Sequence, residues 1–175
     1  MLGLDVGDRR IGIAGADALG MTAQGLPTLE RKSLSYDLEY LEKVIDQRQV
    51  HTLVVGLPKN MDGSLGPQGE KVKEFIQALL THRENISADP SMITPNHREA
   101  GKSPLNVIYW DERLTTVAAH RSMLEGDLSR RKRKENVDRI SAVLILQGYL
   151  DRLAMQNKRR VSENLANGGK DLSTD

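Results

Sequence analysis

The order of hydrophobic patterns along the chain limits the fold more than any other feature of the sequence. Residues 2–16 predict two short strands around a tight Gly-Asp-Arg-Arg connection, because apolar residues alternate in each. A third extended stretch is predicted near Pro27–Arg31, and buried strands are predicted at 51–58, "HTLVVGLP", and at 107–110, "VIYW". Three strands followed by strand–helix units predict an α/β fold with a mixed five-stranded sheet and helices on both faces.

Four helices are predicted from apolar residues spaced three and four positions apart. The first is capped by Ser35 and runs to about Arg48, and the second runs from Gly69 to about His82. The third spans about Thr115–Glu125 and is stopped by a glycine, and the last spans about Glu135–Lys158. Together with the strands, this order is the layout of a ribonuclease H-like domain.

One domain is expected, covering residues 1–158 of the 175 in the chain. Residues 83–106 carry three prolines and no clear period, so they are predicted to form an inserted surface loop. Residues 159–175 are predicted to be a disordered tail. The sequence selects neither a monomer nor a homodimer.

The composition excludes several classes of protein. There is no cysteine, which excludes disulfides and thiolate metal sites and fits a cytoplasmic location. We expect no membrane span, because no run of about 18 apolar residues occurs, and no signal peptide, because the first residues lack a basic start and an apolar stretch. The net charge is +1, so a nucleic acid would have to be recognised by a local basic patch.

Acidic residues at three places in the sequence are candidates for a catalytic or metal-binding site. Asp5 interrupts an apolar strand, which is costly for a carboxylate unless it is paired, protonated or bound to a metal. Asp111 and Glu112 end another strand, and since adjacent residues point to opposite faces, only one of them can point toward Asp5. Asp138 shares a helix face with small residues such as Ser141. Taken alone, each of these acids also has a purely structural interpretation. Asp5 could hydrogen-bond to a neighbouring turn, the pair at 111–112 could be solvated at a strand end, and Asp138 could be favoured by its position near a helix start.

Taken together, the acids on two strands and a helix suit Mg²⁺ or Mn²⁺, which prefer carboxylate oxygens. Such metals can activate water and stabilise the leaving oxygen when a phosphodiester is hydrolysed. The four histidines lack the spacing of a zinc site. If another strand separates the strands of Asp5 and Glu112, their axes lie about 9–10 Å apart, so a metal could bridge the two side chains but direct contact could not occur.

Two further segments have the composition of phosphate-binding elements. The stretch 56–71, "GLPKNMDGSLGPQGEK", carries glycines at 63, 66 and 69 that would let backbone N–H groups approach an oxyanion at a helix start, and it is not a Walker loop. The segment 130–134 holds five consecutive cations shortly before Asp138. The alternatives are an ordinary Gly/Pro turn and a solvated charged loop. With 3% aromatic residues, backbone contacts are expected rather than base stacking.

Four blocks of sequence, in this order, resemble the YqgF/RuvX-type family of Holliday junction resolvases, whose members are also called pre-16S rRNA nucleases. The blocks are "GLDVGDRRIGIAGAD", "VVGLPKNMDGSLGPQGEKVKEFIQAL", "YWDERLTTVAA" and "SRRKRKENVDRISAVLILQGYL". The resemblance covers roughly residues 2–82 and 105–151. It implies a ribonuclease H-like fold, a cytoplasmic bacterial protein and an acidic triad of Asp5, Glu112 and Asp138.

The leading hypothesis is a metal-dependent nuclease that matures the 5′ end of 16S rRNA. Its metals would be held by the triad. Its phosphate-binding residues would be Arg9, Arg10, Lys59, Asn60, Arg113, Arg130, Arg131, Lys132 and Arg133. Branched DNA is the alternative substrate, and a non-catalytic rRNA-binding assembly factor is an alternative function. An ATP-dependent phosphotransferase ranks last, because the chain lacks a second phosphate loop and is too short for two duplicated domains.

Overall fold

A computed structural model of the chain describes residues 1–88, 104–114 and 130–168. Residues 89–103 of the predicted insert 83–106, and the predicted helix at 115–125, lie outside the described residues. The described strands are β1 (Leu2–Val6), β2 (Arg10–Ala16), β3 (Ala23–Gly25), β4 (Leu29–Glu30), β5 (Thr52–Leu57) and β6 (Asn106–Asp111). The described helices are α1 (Leu34–Gln47), α2 (Pro67–Ala88) and α3 (Arg130–Gly168), with a 3₁₀ turn at Glu112–Leu114.

The strands form one mixed sheet in the order β3-β2-β1-β5-β6, and β4 also pairs with β2. β1 is antiparallel to β2 and parallel to β5, and β5 is parallel to β6. The predicted mixed sheet is therefore confirmed, with six strands instead of five. The extended stretch predicted at 27–31 contains the short strand β4, and β3 is a further short strand that was not predicted; the two pair with different parts of β2.

Helices cover both faces of the sheet, as predicted. One face carries alternate apolar residues of the strands, including Leu4 and Ile13, and packs against α1 and α2 through residues such as Leu41 and Ile76. The other face packs against α3, where Val54 and neighbouring strand residues meet a smaller apolar cluster. None of the helices in the described part of the chain is long and apolar enough to cross a membrane.

Several helix boundaries differ from the prediction. The cap of α1 is Ser33, whose hydroxyl accepts the backbone N–H of Tyr36 at 3.3 Å, whereas Ser35 lies inside the first turn and donates to Glu39. α2 starts at Pro67, a residue that fits a first turn, and it continues to Ala88 into the predicted insert.

The last helix is longer than predicted at both ends. It includes the basic run 130–134, which was expected to be a loop, and it extends to Gly168, through most of the predicted disordered tail. Lys and Arg are good helix formers, and no proline occurs between Arg130 and Gly168, so nothing in this segment breaks the helix. Residues 169–175 lie outside the described part of the chain.

Candidate active site

Asp5 lies on the face of β1 that α3 covers. Its neighbours Leu4 and Val6 point to the opposite face and join the larger core. Burial raises the pKa of Asp5 to about 6, and the nearby Asp138 carboxylate contributes to that rise. A hydrogen bond with Ser141 favours the ionised form and opposes the shift in pKa. Asp5 is thus a poorly solvated carboxyl group with a second acid beside it.

Asp138 reaches this position because α3 approaches the sheet very closely. Asp5 pairs with Gly12 across β1 and β2, and a Cβ atom on Gly12 would overlap the backbone carbonyl of Asp138. A glycine is therefore required where the helix crosses β2. The Asp138 carboxylate also lies 3.9 Å from a guanidinium nitrogen of Arg10, so the cation at the start of β2 partly compensates its charge.

Glu112 follows β6 and begins the 3₁₀ turn. A Cβ atom on Gly56 would lie 2.6 Å from Oε1 of Glu112, so the absence of a side chain on β5 leaves the room that Glu112 occupies. Burial raises the pKa of Glu112 to about 7, and the charges of Asp5 and Asp111 add to this effect. The charge of Asp5 therefore acts on the ionisation of Glu112.

Asp111 is engaged elsewhere, as the alternation of strand residues predicted. Its carboxylate accepts Nε of Arg113 at 3.0 Å and Nη2 of Arg113 at 2.7 Å, and it lies 3.5 Å from Nζ of Lys59. The paired guanidinium of Arg113 holds the pKa of Asp111 well below its usual range. Of the two adjacent acids, Glu112 is the one whose pKa the charge of Asp5 raises, whereas Asp111 binds cations of the protein itself.

The three carboxylates offer hard oxygen donors of the kind that Mg²⁺ and Mn²⁺ bind, and they have few compensating cations, so the donor set fits such a metal. β5 separates β1 from β6, which leaves about 9–10 Å between the strands of Asp5 and Glu112. Within residues 1–88, 104–114 and 130–168, no three acidic or histidine side chains are already arranged as a complete metal-binding group.

Most of the predicted phosphate-binding cations near the acids already have partners within the protein. Arg10 contacts Glu30 as well as Asp138, and Lys59 contacts Asp111. Arg113 also donates to the backbone carbonyls of residues 60 and 61, at 3.3 and 3.4 Å. Arg9 is exposed. The side chains of Arg130, Arg131, Lys132 and Arg133 are outside the described ones, and their backbone forms the first turns of α3.

Backbone N–H groups of the glycine-containing loop after β5 donate within the loop at residues 60, 63 and 64. The N–H of Gly63 donates to the carbonyl of Asn60, and the N–H of Ser64 donates to the Asp62 carboxylate. The Asn60 side chain donates to the Ser64 hydroxyl. The proposed oxyanion cradle at Gly63 is therefore not available, because its donor is occupied. What the loop does instead is bring Lys59 and the carbonyls that bind Arg113 next to the 3₁₀ turn of Glu112.

Sequence reasoning missed three residues that shape the site. Ser141 was noted only as a small residue, although its hydrogen bond with Asp5 gives it a direct role. Gly12 and Gly56 were read only as parts of strands, although each provides the space for an acid. A glycine in the interior of a strand pattern signals close approach of another group, and that signal was present at both positions.

Comparisons with known proteins add independent information. The sequence model of the RuvX family, described as a Holliday junction resolvase, matches residues 1–152. A protein of Clostridium botulinum (strain Hall) named "Putative pre-16S rRNA nuclease" is 52% identical over 154 residues, which cover 88% of this chain and 98% of the relative. Proteins of the same name from Clostridium tetani and Clostridioides difficile are 50% and 48% identical over 151 residues, covering 86% of this chain and 95% and 93% of the relatives.

Proposed function

Because this chain belongs to the RuvX family, we propose that it is a metal-dependent nuclease that hydrolyses phosphodiester bonds during 5′-end maturation of pre-16S rRNA. The observation that carries the proposal is the grouping of Asp5, Glu112 and Asp138 on two strands and a helix, with the pKa of Asp5 and of Glu112 raised by burial and by neighbouring acids. Such a costly arrangement is typical of functional sites. The choice of substrate is supported by the relatives named "Putative pre-16S rRNA nuclease".

Asp5, Glu112 and Asp138 would hold Mg²⁺ or Mn²⁺, which would supply an activated water and stabilisation of the leaving oxygen when bound. The protein's own contribution is positional. Ser141 fixes the carboxylate of Asp5, and Gly56 leaves Glu112 room to turn toward the same region. Arg10 places positive charge beside Asp138, where a polyanionic substrate would otherwise be repelled. The basic run 130–134 precedes Asp138 on the same helix.

The description of the matching family favours a second substrate, branched DNA of the Holliday junction type. Both substrates would use the same acids, since hydrolysis of a phosphodiester is the same reaction in RNA and DNA. A role in rRNA maturation implies a cytoplasmic location and a nucleic-acid partner. A non-catalytic, rRNA-binding assembly factor would need the basic surface without the three acids.

Cleavage assays on two substrates test the proposal. Wild type is incubated with a 5′ precursor fragment of 16S rRNA and with a four-way DNA junction, each with Mg²⁺, Mn²⁺ or EDTA. We expect metal-dependent cleavage of the RNA, lost by at least about 100-fold in Asp5→Asn, with binding in EDTA retained. The matched control is Asp8→Asn, because Asp8 is an exposed acid three residues away that contacts only Lys71 among the described ion pairs.

The outcomes separate the candidate functions. Cleavage of the junction alone would replace rRNA maturation by DNA resolution. Tight RNA binding without cleavage, by wild type and Asp5→Asn alike, would contradict the nuclease and support the assembly factor. Equal loss of cleavage in Asp8→Asn would show that the effect of Asp5→Asn is not specific to the three acids.

A further inference from the structure

The C-terminal part of α3 projects beyond the sheet. Asp138 lies at Gly12, whereas Leu146 lies at Gly3, so the helix runs from the carboxyl end of β1 toward its amino end. Burial along the helix ends at Leu150, and every residue from 151 to 163 is exposed except Leu153. The projecting segment therefore points away from the three acids and has no sheet beneath it.

This segment is locally very basic. From Arg152 to Ser162 it contains four cations, Arg152, Lys158, Arg159 and Arg160, and no acid. Among the described residues, none of the four has an ion-pair partner, in contrast to Arg10, Lys59 and Arg113 at the acidic site. The chain holds 25 Lys and Arg against 24 Asp and Glu, so without these four cations it would be net acidic.

From these observations we propose that residues 152–162, the basic arm, bind the phosphate backbone of an extended nucleic-acid substrate at a distance from the cleavage site. At 1.5 Å per residue, Lys158 lies about 30 Å along the helix from Asp138. Exposed, unpaired cations on a helix form a suitable contact with a polyanion and need no base readout. The inference rests on the proposed function for the identity of the polyanion.

A second copy of the chain could alternatively pair with the projecting segment of α3 as a coiled coil. The spacing of the apolar residues in this segment disfavours such a dimer. Leu150 and Leu153 have the spacing of two core positions in a heptad. The positions seven residues further on are Asn157 and Arg160, so the apolar seam is not continued. The exposed Met155 and Val161 do not restore it, because they lie six residues apart.

The length of the nucleic acid determines whether it can reach both the basic arm and the three acids. A comparison of two lengths therefore distinguishes a contact at the arm from a contact at the acids. A duplex of about 24 base pairs is up to about 80 Å long and spans both regions, whereas one of about 6 base pairs is up to about 20 Å long and cannot. Binding of fluorescein-labelled RNA duplexes of both lengths is measured by anisotropy in EDTA, over a range of salt concentrations. The test variant is Lys158→Gln/Arg159→Gln/Arg160→Gln.

The control variant is Lys32→Gln/Lys43→Gln/Lys73→Gln, which removes three exposed cations from the side of α1 and α2. Glutamine has nearly the helix propensity of lysine and arginine, so both variants are expected to keep the helical circular dichroism of wild type. The two variants change the net charge of the protein by the same amount. They differ in where the charge is removed, and the arm variant replaces one lysine and two arginines whereas the control replaces three lysines.

For the long duplex, we expect the arm variant to lose affinity and the slope of log K against log salt to become less steep by about 2 to 3. Three phosphate contacts correspond to a factor of about 40 in affinity between 50 and 200 mM salt. The control variant and the short duplex should show little change. The proposal would be overturned if both variants lost the same affinity, or if the arm variant lost the same affinity for both duplex lengths. It would also be overturned if the arm variant bound RNA as wild type does, or if wild type bound no RNA.

Two further readouts separate this proposal from the nuclease assignment. Cleavage of the short substrate should be unchanged in the arm variant, since the arm does not reach it. A wild type that binds through the arm but cuts nothing would support the arm and contradict the nuclease. A change of oligomeric state in the arm variant, seen by analytical ultracentrifugation, would overturn the arm as a nucleic-acid contact.

Discussion

The buried acids work against the stability of the folded protein. In the folded state the pKa of Asp5 is about 6 and that of Glu112 about 7, compared with ordinary values of 3.8 and 4.5. Between about pH 4 and pH 7 the unfolded chain has therefore lost protons that the folded protein still binds. Because the folded state binds more protons in this range, the two groups make the free energy of unfolding fall as pH rises.

We predict that Asp5→Asn stabilises the protein at pH 8 while abolishing cleavage. The two-unit rise in the pKa of Asp5 corresponds to at most about 3 kcal/mol, which the neutral amide would recover. At pH 4 the carboxyl group is largely protonated in the folded state, so the two proteins should differ little there. The measurement is urea denaturation at both pH values in EDTA, with Asp8→Asn as control. An identical pH dependence in wild type and Asp5→Asn would contradict the electrostatic account.

The residue types in the sequence were enough to select the acids as candidate site residues. They could not show which residues the nearby cations contact. Asp5 stood out because a carboxylate inside an apolar strand needs an explanation. That Lys59 and Arg113 both bind Asp111 depends on the position of β6 beside β5, which brings distant segments together. No local pattern in the sequence carries that information.

At the scale of elements, the contact of α3 with β2 is what brings Asp138 to Asp5. Gly12 allows the backbone of the helix to lie directly on the strand, and Ala142 continues the same close contact. On this face of the sheet the apolar cluster is small, so the position of α3 depends on few side chains. A single added methyl group at Gly12 would therefore shift the helix.

We predict that Gly12→Ala destabilises the protein by about 1–3 kcal/mol, because the methyl group overlaps the carbonyl of Asp138. It should also lower kcat by at least about tenfold, since Asp138 is moved away from Asp5. The control is Gly15→Ala on the same strand, where the atoms nearest to the new Cβ belong to the flexible side chains of Arg48 and Leu26, at 3.3 and 3.5 Å. Urea denaturation and cleavage kinetics measure both effects. Equal effects of the two substitutions would contradict this account.

Element types were predictable, and element ends were less so. The strands β1, β2, β5 and β6 follow from alternation or from short apolar runs. The predicted ends of the last helix were wrong. A basic run before it was interpreted as a loop and a polar tail after it as disordered, although both consist of residues compatible with a helix. Composition alone does not distinguish an exposed helix from a disordered polar segment.

At the scale of the whole molecule, the ribonuclease H-like fold separates stability from the site. The larger apolar core lies between the sheet and α1 and α2, whereas the acids lie on the α3 side. Substitutions of the acids should therefore leave the larger core intact. The same arrangement puts the acids near one end of α3 and the basic arm near the other, so an extended substrate would lie along the helix.

The central claim is that Asp5, Glu112 and Asp138 hold a divalent metal, and Mn²⁺ binding tests it most directly. Free Mn²⁺ is measured by electron paramagnetic resonance during titration of wild type, Glu112→Gln and Asp8→Asn, without nucleic acid. We predict a saturable site in wild type and Asp8→Asn, weakened at least about tenfold in Glu112→Gln, since a carboxylate ligand is removed. Equal Mn²⁺ binding by all three proteins, or no saturable site in wild type, would contradict the claim.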